Sequence, residues 1–288
     1  MENKGFIPEG EKGNVREDKP LVSVTIPTRN SEDVIGDCLS SVKEQIYPNI
    51  ETLVIDSNST DRTKEIVESF GAKFISYKGR LLGARYEGFL SSQGDFILLL
   101  DSDQILEPTA VERALAIMND YDMLVFEEIS YKPKGFFERL YEADRKVIHL
   151  QPNFAPLDGN LLPRFFRREV LEKAFLAVPK EIIPTTIHHD HAIIYFEAHK
   201  VSSKVGILPA SVYHREHGLA KTWRINFRYG RSLRVLEDGY YHDLVRRRDR
   251  GFRKGVVKFK GLWIRSFMLF THIKMAQRAG YLSGRLKW

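Results

Sequence analysis

The sequence predicts an α/β fold: a mostly parallel sheet flanked by helices, followed by a basic helical C-terminal extension. Three observations predict it. Short β-rich runs alternate with helical stretches from Leu21 onward, the pattern of repeated βαβ units. The runs are almost continuously apolar, as strands covered on both faces must be. Polar clusters stand at the carboxyl ends of three of these runs, where such sheets bind ligands.

Taken in order, residues 1–20, "MENKGFIPEGEKGNVREDKP", are polar, charged and aperiodic, which predicts a loose tail. No apolar run follows the first basic residue, so a signal peptide is not expected. "LVSVTIP" (21–27) is the first strand and runs into Thr28, Arg29 and Asn30. A helix is expected over "SEDVIGDCLSSVKEQI", with Asn30 and Ser31 as candidate caps. "IETLVID" (50–56) closes on Asp56, Ser57 and Asn58, and "STDRTKEIVESFG" has a Ser/Thr/Asp helix start and a glycine stop. "AKFISY" (72–77), "DFILLLD" (95–101) and "YDMLVFEE" (121–128) are the next strands, the middle one ending in Asp101, Ser102 and Asp103. "KGFFERLYEADRKVIHL" has the period of an amphipathic helix, and "APLDGNLLPRFFRREVLEK" reads as a loop returning to a strand and helix.

With 288 residues, 43% hydrophobic and 28% charged, the chain can bury a sizeable core. Its net charge of +6 is unevenly spread. Residues Lys221 to Trp288 hold 18 Lys and Arg against 4 Asp and Glu, a surplus of +14, which leaves 26 against 34, or −8, in the first 220. No nucleic-acid recognition motif accompanies the basic segment, so nucleic acid is not an expected partner. The apolar stretch around Leu262 to Ile273 is broken by Arg265 and falls short of the ~20 residues that span a bilayer. Aromatic residues beside basic ones suit a helix lying on an anionic membrane surface, and the alternative is a helix packed on the core with a solvated basic face. The lone cysteine, Cys38, excludes an internal disulfide and fits a reducing compartment. The expected location is cytoplasmic, peripheral on the cytoplasmic face of a membrane.

Neither G-x-G-x-x-G after the first strand nor G-x-x-x-x-G-K-[ST] occurs, so bound phosphate would need another neutralising device. "FILLLDSD" drives an apolar run into two aspartates one residue apart. Two carboxylates aimed into one cleft repel, and without a cation one would stay protonated. Mg²⁺ or Mn²⁺, which takes one or two carboxylates plus substrate phosphates, removes the conflict. In the rival reading Asp101 caps the following turn and Asp103 is merely exposed.

"VSVTIPTRN", "ETLVIDSNSTDRT" and "GARYEGFLSSQGDFILLLDSD", in that order and spacing, resemble the nucleotide-sugar half of the inverting GT-A glycosyltransferases of family two. "HHDHAIIYFEAHKVSSKVGILPASVYHRE" is similar to the family's later segment, where an acidic residue opens a helix and a strand ends in histidine. The resemblance covers about residues 21 to 217. It implies a GT-A, Rossmann-like catalytic domain over 21–220, with a nucleotide-sugar half (21–104) and an acceptor half (105–220), ahead of the basic region 221–288. It also implies metal-dependent, inverting transfer from a nucleotide-diphosphate sugar to a hydroxyl acceptor, a glycan or a lipid-linked one. Pro27, Thr28 and Asn30 would line the nucleoside pocket, and Asp56 would contact base or ribose. Ser57 stands where a second aspartate is usual. Arg85 would face the diphosphate; Asp101 and Ser102 would touch the donor, and Asp101, Asp103 and His214 would hold the metal. Asp158, Gly159 and Asn160 match a loop near the acceptor.

Inversion requires a carboxylate that takes the acceptor proton. Asp190 matches the family's base, with His189 where a glutamate is usual. The run His188 to His191 has two other readings, a plain helix N-terminus or a zinc site. Neighbouring residues that point in different directions disfavour zinc. The rival functions are a nucleotidyltransferase of the same layered fold and a non-catalytic membrane-associated binding protein.

Overall fold

The computed structural model describes residues 19–150, 152–233, 241–250 and 260–283, together with Leu236 and Gly239. The tail expected over 1–20 lies outside the described residues apart from Lys19 and Pro20. The first half alternates strand and helix: β1 (Val22–Thr28), α1 (Ile35–Lys43), β2 (Ile50–Asp56), α2 (Thr63–Ser69), β3 (Lys73–Ser76), α3 (Leu81–Ser91) and β4 (Phe96–Leu99). The second half contains β5 (Gln104–Leu106), α4 (Ala110–Ile117), β6 (Met123–Ser130), α5 (Phe136–Leu150), β7 (Phe165–Arg167), α6 (Arg168–Ala177), α7 (Asp190–Val201) and β8 (Val205–His214). The extension contributes α8 (Leu219–Ser232), α9 (His242–Arg250) and α10 (Lys260–Ser283).

All described strands share one sheet in the order β3-β2-β1-β4-β7-β6-β8-β5. From β3 to β4 every pairing is parallel, with Thr28 level with Asp56 and Thr25 level with Leu99. The carboxyl ends of β1, β2 and β4 therefore open on the same side. Beyond β4 the sheet is mixed, because β7 runs antiparallel to both neighbours and β5 antiparallel to β8. The expected fourth strand, 95–101, ends at Leu99, since the chain turns out of the sheet at the acidic pair and re-enters as β5.

Side chains alternate across the sheet as a two-residue period requires. Val22, Val24 and Ile26 of β1 join Phe96, Leu98 and Leu100 in a core shared with α1 and α4. Ile97 and Leu99 point the other way, into a core with α3, α6 and α7. On that second face β1 presents Ser23, Thr25 and Pro27, all buried. Small residues there let α3 press close, and Gly88 completes the fit: a Cβ on it would lie 2.9 Å from Ile55 Cδ1 and 3.0 Å from Thr25 Cβ. That approach carries Arg85, one turn earlier on α3, to the sheet's ligand-binding rim.

The basic extension packs on the rest of the chain. Gln277 on α10 donates to Asn226 on α8 at 3.1 Å, Ser266 donates to Asp144 on α5 at 2.5 Å, and Phe137 meets His272 edge-on at 4.9 Å. Gly230 lies against the Gln277 carbonyl and Gly280 against the Phe227 carbonyl, so α8 and α10 meet backbone to backbone. No described helix is long and apolar enough to cross a membrane.

Candidate active site

The turn after β4 is built by Gln104. Its side-chain oxygen accepts from the Asp101 N–H at 2.9 Å, its own N–H donates to the Asp101 carbonyl at 3.0 Å, and its amide nitrogen donates to Glu128 at 2.9 Å. Beneath the turn lies buried Cys38, whose thiol approaches the Asp101 carbonyl at 3.6 Å. Burial, then Asp103 and Asp101, pushes that thiol well above its usual pKa.

Asp101 is gripped from two sides. Arg85 Nη2 donates to Oδ1 at 2.6 Å and Arg164 Nη1 donates to Oδ2 at 2.8 Å. Burial alone would raise the carboxyl's pKa, but Arg164 and Arg85 outweigh it and hold Asp101 well below the usual carboxylate range. Arg85 is 1% exposed, which excludes a surface role. Its Nε donates to Asp190 Oδ2 at 2.5 Å, so one guanidinium joins Asp101 to Asp190. Its Nη1 is buried without a hydrogen-bond partner.

Asp190 opens α7 after His189, whose left-handed backbone (φ 65°) turns the chain sharply into the helix. A carboxylate in a first turn is favoured by the helix dipole. Burial disfavours its charge, yet Arg85 and then His191 lower its pKa. His191, 2.9 Å from Arg164, is kept neutral by burial and by Arg85 and Arg164.

Asp103 faces imidazoles instead. His214 Nε2 lies 3.5 Å from Oδ1, and His217 Nε2 lies 3.2 Å from Oδ2. Cross-strand register sets this up, because His214 at the end of β8 pairs with Gln104 in β5 and with Ser130 in β6. Burial and Arg145 oppose charge on His214, while Asp103 and Glu216 favour it, and its pKa is raised.

At the β1 and β2 ends, Asp56 accepts from the Ser59 N–H at 2.9 Å and from its hydroxyl at 2.5 Å. Asn30 and Asn58 adopt left-handed backbone (φ 50° and 59°), and Asn30 Oδ1 accepts from the Thr60 N–H at 2.8 Å. Ser57 N–H continues the ladder to the Thr28 carbonyl at 2.9 Å, with Pro27 in the strand beside Ile55. Ser31 Oγ lies 3.1 Å from Ser102 Oγ and ties this corner to the acidic turn. The 158–160 loop packs under α9, where Asp158 meets Arg247 at 3.4 Å and the Gly159 carbonyl accepts from Arg248 at 3.0 Å.

Besides Gln104 and His217, five residues bordering the site escape sequence reasoning. Glu128 is held by Arg164 at 2.7 Å and by Arg145, and Arg145 in turn donates to Glu216 at 2.5 Å. Burial notwithstanding, Arg164 and Arg145 press Glu128 far below its usual value, and hydrogen bonding to His214 and the charge of Arg145 bring Glu216 to about 2. The fifth is Tyr229 of α8, stacked on His188 at 4.7 Å; burial first, then Asp190, Asp101 and Asp103, raises its hydroxyl's pKa. The available signal was a charge inside an apolar run, as in "LLPRFF" for Arg164 and "MLVFEE" for Glu128.

Residues 23–175 match the family model of Glycosyl transferase family 2. The chain belongs to this family. One relative is the putative glycosyltransferase EpsH of Bacillus subtilis, 26% identical over 209 residues, 68% of this chain and 60% of that one. An uncharacterized glycosyltransferase of Haemophilus influenzae is 33% identical over 245 residues, 77% of this chain and 93% of that one. Against the first three curated relatives, the chain spans 60%, 40% and 39% of their lengths. Among solved structures, the mannosyltransferase PcManGT from Pyrobaculum calidifontis, in complex with GDP-Man and Mn²⁺, superposes with a TM-score of 0.59 at 17% identity over 93% of this chain and 88% of that one. Residues 1–349 of S. aureus TarS with UDP-GlcNAc give 0.55 at 18% over 92% and 89%. These likenesses establish the GT-A type fold. The family 2 match ends before Asp190, His214 and Tyr229, which reach the site through the fold.

Proposed function

We propose that the chain is a metal-dependent, inverting glycosyltransferase that moves a sugar from a nucleotide-diphosphate donor to a hydroxyl acceptor on a glycan or lipid-linked precursor. The observation that carries this reading is Arg85, whose single guanidinium holds Asp101 and Asp190 together at the open ends of the parallel strands. Residues 21–104 would supply the donor half, with Thr28, Asn30, Asp56 and Ser57 framing the nucleoside, and residues 105–220 the acceptor half.

Asp190 serves as the base. Its lowered pKa keeps it ionised at neutral pH, and with Oδ2 taken by Arg85 the other oxygen is the one to accept the acceptor's proton. Arg85 restrains the carboxylate's rotation, and its unpartnered Nη1 is a donor in reserve for a phosphate oxygen.

Asp103, with His214 and His217 against its two carboxylate oxygens, is the candidate holder of a divalent cation. Among the described residues no three acidic, imidazole or thiol groups form a ready-made cage. Asp103 with His214 beside it still fits Mn²⁺ or Mg²⁺, ions that commonly take one or two protein carboxylates and complete their shell with substrate phosphates. Asp101 would have to exchange an arginine contact to join as a ligand. Such an ion supplies charge neutralisation for a departing nucleoside diphosphate. Mn²⁺ in the PcManGT complex supports this reading. The basic helices α8 to α10 support a membrane-peripheral, cytoplasmic-face location.

Calorimetric titration with UDP- and GDP-sugars, with and without Mn²⁺, tests the proposal. Mn²⁺-dependent binding that Asp103→Ala abolishes is expected, with nucleoside diphosphate as product. Pyrophosphate as product would make the protein a nucleotidyltransferase. Binding that ignores both the metal and the mutation would remove the metal assignment.

A further inference from the structure

We infer that α10 lies flat on an anionic membrane surface through the face carrying Ile264, Phe267, Met268, Met275 and Leu282, which brings a bilayer-anchored acceptor to the site. The docking rests on the surface alone; the acceptor's identity as substrate rests on the transferase reading above.

All five side chains are exposed. At 3.6 residues per turn they fall within an arc of about 100° and run for about 27 Å along the helix. The opposite face, with Ser266, Leu269, Ala276 and Gln277, is buried against α8 and α5. The chain thus covers one side of the helix and leaves the apolar strip on the other uncovered. An uncovered apolar strip of this length marks a surface that meets an apolar partner. Crossing a bilayer is not open to it, so it lies in the interface.

Charge selects the partner. α10 carries Lys260, Arg265, Lys274 and Arg278 and no acidic residue; α8 carries Lys221, Arg224, Arg228 and Arg231 and no acidic residue. Arg265 is exposed beside the apolar strip, Arg278 is exposed within its arc toward the helix C-terminus, and all four α8 cations are exposed. A layer of anionic headgroups over acyl chains satisfies both the strip and its flanking cations. A second copy of the chain would bring the same positive charge to the contact, which opposes self-association.

The inner side of this helix pair reaches the site. Gln277 Nε2 lies 3.5 Å from His188 Nε2, His188 stacks on Tyr229, and Asp190 is two residues further on. A helix with its side chains is about 10 Å thick. The segment leading into the base is therefore about one helix diameter from the lipid-facing strip, within reach of a head group projecting from a bilayer.

Flotation of the full chain with phosphatidylcholine vesicles, with or without phosphatidylglycerol, tests the inference against the double variant Met268→Glu/Met275→Glu. The wild type floats with the anionic vesicles, and the bound fraction of the double variant falls by at least ~10-fold. Leu176→Glu, on α6 and more exposed than either methionine, floats like the wild type. Thermal melting checks that the double variant is folded. No flotation of the wild type, undiminished flotation of the double variant, or a dimer that the double variant dissolves would each overturn the inference. Mn²⁺-dependent nucleotide binding, measured without vesicles on the same preparations, separates a failure here from a failure of the transferase reading.

Discussion

Asp101 receives two guanidinium groups, yet Arg85 and Arg164 do different things with their remaining nitrogens: one reaches Asp190, the other Glu128. The buried charges thus form a chain in which each arginine serves two carboxylates. Removing one member strands its partners, so Arg145→Ala should cost about 3–5 kcal/mol in urea unfolding, far more than an exposed pair such as Arg62–Glu65. Asp190→Asn should leave nucleotide affinity near normal and abolish transfer, checked by calorimetry beside a product assay. The network also fixes an acid sensitivity. Glu216 drops from 4.5 to about 2 on folding, so its contribution is complete above the unfolded value and disappears as pH falls through the folded one. That is about 3 kcal/mol, and urea midpoints compared at pH about 6 and about 3 should differ less in Glu216→Gln than in the wild type. Asp101 and Asp103 were legible as carboxylates interrupting an apolar run, and Asp190 only through the likeness of "HHDHAIIYFEAHK" to the family's later segment. The network behind them was not, because Arg145 and Glu216 lie 71 positions apart and no spacing rule connects them.

At the level of elements, the seam between α8 and α10 depends on two glycines. Gly280→Leu would drive a side chain into the Phe227 carbonyl and should lower stability by about 1–3 kcal/mol, read as a fall in thermal midpoint. Tyr229 and Gln277 sit on this seam, so the same variant should loosen the contact with His188. The five strands expected from apolar runs all exist, each within two residues of the expected ends at both sides: β1, β2, β3, β4 and β6. β5 was not legible, since three residues carry no period and its partner β8 lies far along the chain. The antiparallel course of β7 was equally hidden, because direction is set by partners and not by composition.

For the whole molecule, the chain divides into a −8 segment and a +14 segment, and the described basic residues of the second ride on α8, α9 and α10, outside the eight-stranded sheet. Association with anionic vesicles should therefore weaken as salt rises from about 0.05 to about 0.5 M and the screening length shrinks, measured by flotation across the series. The sequence asymmetry was legible. Which side of α10 stays uncovered was not, because that depends on how α5 and α8 receive it. Cys38 has a practical corollary. Shielded under the acidic turn and disinclined to ionise, the one native thiol should ignore maleimides, so a fluorophore attached to a cysteine introduced on α10 would report its surroundings in an otherwise unaltered protein.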